Sequence, residues 1–148
     1  MIPRYGKPPL QRRYTHRPGI YAILPRNGGF LVTHQQEPEP EIQLPGGGID
    51  PGEQPLAALH REVLEETGWS ITRPRRLATY RRFTFMPEYS LWAEKLCHVF
   101  VAHPARAIRP PIEPGHSVLW IDRITAIERL ASPGDRAVLA RYVRASGR

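Results

Sequence analysis

Residues 47–69 read GGIDPGEQPLAALHREVLEETGW, a glycine-rich turn running into a helix that carries a set of carboxylates. Pro55 suits a first helical position, because its fixed φ matches a helix and its missing N–H costs nothing there. Leu56 to Thr67 contains no Gly or Pro, and Gly68 supplies a C-terminal stop. At about 100° per residue, Leu56, Val63, Leu64 and Thr67 fall along one side with His60 among them. Glu62, Glu65 and Glu66 gather on the other side by the i, i+3, i+4 rule, with Arg61 at the edge of the set and within reach of Glu65. Carboxylates held this close repel one another, and a divalent cation would resolve the repulsion. Hard oxygen ligands suit Mg²⁺ or Mn²⁺ rather than Zn²⁺. The bare pattern E-x-x-E-E also describes a solvated acidic helix face.

The full spacing separates these readings. Gly47, five residues, Glu53, seven residues, then Arg61-Glu62-Val63-Leu64-Glu65-Glu66-Thr67-Gly68-Trp69 resembles the Nudix box, G-x5-E-x7-R-E-U-x-E-E-x-G-U, with U a bulky apolar residue. Trp69 is a loose match at a position the family usually gives to Ile, Leu or Val. The box covers about a sixth of the chain. The resemblance implies an α/β fold: a Nudix-type α/β/α sandwich with a mixed β-sheet between helices. It also implies hydrolysis of a nucleoside diphosphate linked to another group X, by water attack at phosphorus, with Mg²⁺ or Mn²⁺ as cofactor. Glu65 and Glu66 are then metal ligands, the Gly47 carbonyl adds a backbone ligand, and Glu62 is a ligand or the general base. Arg61 and Glu53 would fix the loop against the helix.

The 148 residues suit one domain, able to bury roughly 70% of its unfolded surface. The expected division is a basic, Pro-rich arm over 1–18 and a single Nudix domain over 19–148. The net charge of +7 favours anionic partners. A small phosphorylated nucleotide is the favoured one. Nucleic acid is less favoured, since zinc-finger, helix-turn-helix and RNA-binding aromatic patterns are not found. The arm's basic residues could reach a substrate phosphate or the second subunit of a homodimer, or form a solvated tail. The single cysteine, Cys97, allows no internal disulfide and reads as a small core residue. No run of residues approaches a membrane span and no signal-peptide pattern opens the chain, so a cytoplasmic protein is expected.

Either side of the box, Gly19–Leu24 and Phe30–His34 read as strands joined at Asn27-Gly28-Gly29. Ile42–Leu44 is a short strand feeding the glycines. Past the box the chain is expected to turn through Arg73–Arg76. Leu77–Phe85 and Leu91–Ala102 would form a long hairpin, followed by a Pro-rich loop over 104–115. A strand at Val118–Ile121, a short helix at Ile124–Leu130 and an amphipathic helix at Gly134–Ala145 complete the chain.

Outside the box the candidates are weaker. Many family members carry an acidic residue about five positions before a Trp equivalent to Trp120. Gly115 stands there instead, so Glu113 and His116 become candidates for an extra ligand, base or substrate contact. Arg81 and Arg82 point to opposite faces of one strand, and one of them could meet a phosphate. The proline marking many ADP-ribose hydrolases would fall near Phe83–Phe85 and is absent, with Pro87 displaced. A nucleoside triphosphate or nucleotide-sugar substrate is the broad expectation. The alternatives are a 5′-end RNA pyrophosphohydrolase and a nucleotide-binding regulatory module, the latter disfavoured by an intact box.

Overall fold

The computed structural model describes residues 2–6, 13–37, 39–112 and 114–146. Its elements, in chain order, are β1 (Arg4–Tyr5), β2 (Thr15–Ile23), β3 (Pro25–Arg26), β4 (Gly29–Gln35), β5 (Glu41–Gln43), β6 (Gly46–Gly48), α1 (Pro55–Thr67), β7 (Trp69–Met86), β8 (Leu91–Ala107), β9 (His116–Asp122), α2 (Arg123–Arg129) and α3 (Pro133–Ala145). A single 3₁₀ turn, Pro87–Tyr89, links β7 to β8.

A five-stranded sheet runs in the order β1-β7-β8-β2-β6. It is mixed: β2 lies parallel to β8 and β1 to β7, whereas β7–β8 and β2–β6 are antiparallel. A second sheet is built on β4, which pairs antiparallel with β3, β5 and β9. Strand alternation divides the core in two. Ile20 and Ala22 of β2, and Leu24 just past its end, pack with Leu59 and Val63 of α1. Ile23 faces the other way, into a cluster with Tyr80, Val99, Leu130 and Leu139 on the side of α2 and α3. Helices therefore cover both sides of the sheets, the expected α/β/α arrangement.

Several boundaries differ from the expectations. The first long strand begins at Thr15 rather than Gly19, and Arg4–Tyr5 adds a parallel edge to β7. Arg73–Arg76 is not a turn: β7 continues through it, and the register against β8 shifts between Thr72 and Arg75 where Arg73 takes φ 53°. The extra residues bulge out while the ladder resumes beyond them. Likewise β8 runs on to Ala107, absorbing the start of the supposed loop, because its partner β7 already extends from Trp69. The buried face of α1 is also rotated. It consists of Ala58, Leu59, Val63, Glu66 and Thr67, while Leu56 and His60 are exposed. The glycine strand β6 lies under the Glu66 side of the helix, and a hydrogen bond compensates the burial of that carboxylate.

The helix ends as its sequence demands. Gly68 takes φ 77°, its N–H reaches the Leu64 carbonyl, and a Cβ there would lie 1.6 Å from the Arg109 carbonyl oxygen. In return, the Gly68 carbonyl accepts the N–H groups of Ile108 and Arg109, docking the following loop on the helix end.

Candidate active site

Arg61 is the hub of the carboxylate face. Its Nε and Nη2 donate to the two oxygens of Glu53 at 2.7 and 2.8 Å, a bidentate clasp between α1 and the loop before it. Glu53 also accepts the Asp50 N–H at 3.0 Å. The guanidinium first, and that N–H second, hold the Glu53 carboxyl down at about 2. The remaining donors go to the site: Nη1 to Glu62 at 2.9 Å and to Glu65 at 3.3 Å, and Nη2 to the Gly48 carbonyl at 3.2 Å. One cation thus serves Glu53, Glu62 and Glu65.

Glycines bring the backbone up to the other side of the carboxylates. A Cβ on Gly47 would lie 2.5–2.7 Å from the Glu62 carboxyl atoms, so Glu62 occupies space that any side chain at 47 would claim. The Gly46 N–H donates to Glu66 Oε1 at 2.9 Å. Glu66 is only 8% exposed. His116, at the start of β9, approaches it from the second sheet: Nδ1 stands 3.6 Å from Glu66 Oε2, and Nε2 is 3.2 Å from Gln35 Oε1. Nδ1 is buried with no hydrogen-bond partner among the described residues, so it is free to receive one.

A cavity of about 540 Å³ opens along this wall. Glu62, Glu66, Gly47 and His116 line it, as does Arg82; Glu65 and Arg81 are not among its lining residues. Arg81 points away and stands 3.7 Å from Glu94. Glu113 lies outside the described residues. Arg17, Lys95 and Asp135 also line the cavity; the sequence reading missed Lys95 and Asp135 and had Arg17 only as one of the arm's basic residues that could reach a phosphate. Arg17 was hidden in the basic arm and Lys95 in an apolar strand, and neither has a motif around it. Asp135 is buried, and the Tyr80 hydroxyl donates to it at 2.5 Å. Burial pushes its carboxyl up to about 6. The only sequence signal for it was its place in the first turn of α3.

The donors fit a hard divalent cation in chemical type: clustered carboxylates beside backbone carbonyls. Their arrangement is centred on Arg61. Among the described residues no three His, Cys, Asp or Glu side chains stand together as a metal-holding group. A cation between Glu62 and Glu65 would compete with the two Nη1 contacts and leave the Glu53 clasp in place.

A family model described as the NUDIX domain matches residues 15–142, and the chain belongs to the Nudix family. An RNA pyrophosphohydrolase from Sulfurovum sp. (strain NBC37-1) is 39% identical over 64 residues, 40% of this chain and 41% of that one. A Bacillus subtilis (strain 168) protein named provisionally as an 8-oxo-dGTP diphosphatase is 32% identical over 74 residues, half of each chain. The matches thus span half or less of these curated relatives. A NUDIX hydrolase structure from Nitrosomonas europaea superposes with a TM-score of 0.72 at 19% identity, over 88% of this chain and 90% of that one, a likeness of fold.

Proposed function

We propose that the protein is a Nudix pyrophosphohydrolase. It hydrolyses the pyrophosphate linkage of a nucleoside diphosphate joined to a further group, by water attack at phosphorus. The observation that carries this reading is the contact of Glu62 with side-chain-free Gly47 on the cavity wall, braced by Arg61 and Glu53. That brace presents a carboxylate at a fixed place beside backbone groups, as a general base requires. Glu62 takes the proton of the attacking water, and Arg61 holds its Oε1 in position.

Glu62, Glu65, Glu66 and the Gly47 carbonyl are the groups that would hold Mg²⁺ or Mn²⁺. When bound, the metal would neutralise the charge of the pyrophosphate and polarise its oxygens. Arg61 and Glu53 are positioning residues. Arg82 and His116 face the same cavity and contact the substrate; Arg81 does not. The catalytic domain is residues 19–148, with 15–18 of the basic arm completing β2. Among the described residues no helix is long and apolar enough to cross a membrane.

The test is a screen of nucleoside diphosphate derivatives with Mg²⁺ or Mn²⁺, reading inorganic phosphate after coupling to a phosphatase. Turnover of at least one class is expected, abolished by EDTA and restored by metal. Binding without turnover of any of them would make the protein a nucleotide-binding regulatory module instead.

A further inference from the structure

The cavity has a second charged end. Arg17 of β2 is the ladder partner of Lys95 on β8, and Lys95 is in turn the partner of Arg82 on β7. Directly paired residues project to the same face of a sheet, so these side chains form a row across three strands, and all three line the cavity. Like charges in such a row repel. Among the described residues none of the three is in an ion pair. Arg17 lies over the Tyr89 ring at 4.9 Å, and two carboxylates, Glu88 and the buried Asp135, join the lining near Lys95, fewer than the three cations of the row. Burial, with Arg82 adding to it, lowers the Lys95 pKa below the usual lysine range. An anion would repay this arrangement, and two guanidiniums beside an ammonium suit a phosphate.

The row stands apart from the carboxylates. Glu62 touches Gly47, whose ladder partner is Ile20, and Arg17 lies three residues further along β2. With about 3.3 Å per residue and about 4.8 Å per strand, the Cα atoms of Arg17, Lys95 and Arg82 lie about 11, 14 and 17 Å from that of Gly47. Along the sheet the row is thus displaced from Gly47 towards the other end of the cavity. Between the two ends runs the row Gly19, Cys97 and Tyr80. The Tyr21 ring lies over Gly19, and all four residues line the cavity of about 540 Å³, where a nucleoside would lie against the tyrosine.

We propose that Arg17, Lys95 and Arg82 form a second anion site. It takes a phosphate carried one nucleoside away from the scissile pyrophosphate. This rests on the hydrolase reading and narrows its substrates to nucleotides bearing a 3′-phosphate group, either as a monoester or as the diester of a 5′-phosphorylated oligonucleotide. The row selects substrates by binding and takes no part in bond cleavage.

Binding without catalysis tests the site by itself. Titration calorimetry in EDTA compares guanosine 3′,5′-bisphosphate with guanosine 5′-monophosphate. The wild type should bind the bisphosphate at least about tenfold more tightly. Lys95→Met and Arg82→Gln should each bring that ratio towards one, and Arg81→Gln, outside the cavity, should keep it. Circular dichroism checks each fold, and Arg17→Gln at the edge of the row substitutes for a variant that fails to fold. A ratio near one in the wild type, or one that survives these substitutions, overturns the proposal. With Mg²⁺, kcat/KM for a 5′-triphosphorylated dinucleotide, for GTP carrying a 3′-phosphate and for GTP then separates diester from monoester recognition. No advantage of either over GTP also overturns it. If nothing is hydrolysed the hydrolase reading fails, while the calorimetric ratio still decides the anion site.

Discussion

At position 47 the missing side chain decides where Glu62 can sit. Gly47→Ala would put a methyl group within 2.5–2.7 Å of the Glu62 carboxyl atoms, so the carboxylate must move. We expect kcat to fall by about 10² or more, as for a displaced general base, with a stability loss of about 1–3 kcal/mol from overpacking. Unchanged kcat in a well-folded variant would contradict the role of that contact. Asp135 gives a pH signature. Its folded pKa of about 6 lies above the ordinary carboxylate value of about 4, so the folded state favours the proton. Its contribution to stability is fully present below about pH 4 and is lost as pH rises through about 6, amounting to about 3 kcal/mol at most. Asparagine carries no such penalty. The melting temperature of Asp135→Asn relative to wild type should therefore rise between pH 4.5 and 7.5, and a pH-independent difference would refute the assignment. Glu53 runs the opposite way. With its carboxyl held at about 2, its contribution is present above about 4.5 and disappears as pH falls through about 2.

At the scale of the element, α1 and the loop before it act as one unit because Arg61 and Glu53 bind them together. Glu53→Gln keeps the shape and weakens the clasp. Hydrogen exchange should then quicken at the Asp50 amide, which donates to Glu53, and leave the α1 core at Leu59 and Val63 protected. Equal exchange at Asp50 would mean that the clasp does not hold the loop. Replacing Glu65 by Gln removes one of the crowded carboxylates, and metal-free melting should stay level or rise slightly, since like-charge helix pairs cost a few tenths of a kcal/mol. A large loss would make Glu65 part of the fold. This unit was the most legible part of the sequence, because spacing along one helix and one loop is local. The orientation of the helix was less so: Leu56 and His60 are exposed while Glu66 is buried, and only the position of β6 beneath the helix decides that. Pro74 read as a turn for a related reason, since a bulge is defined by the partner strand and not by the strand itself.

Over the whole molecule, the mixed sheet brings together residues far apart in the chain. Strand identities were largely readable from apolar alternation, but parallel pairing of β2 with β8 has no local signal. The juxtaposition of Arg17, Lys95 and Arg82 therefore could not be read from the sequence, and neither could the approach of His116 to Glu66. The same topology places anionic and cationic ends in one cavity, so that part of the chain's cationic charge lines it. On the mechanism we propose, water attacks phosphorus in this cavity with Glu62 as base. The direct measurement is turnover of an accepted substrate with Mg²⁺ in ¹⁸O-water, analysed by mass spectrometry for wild type and Glu62→Gln. One ¹⁸O should enter a phosphate product in a single turnover, with kcat of the variant lower by about 10² or more. Label on carbon, a trapped phospho-enzyme, or a Glu62→Gln variant with undiminished kcat would contradict it.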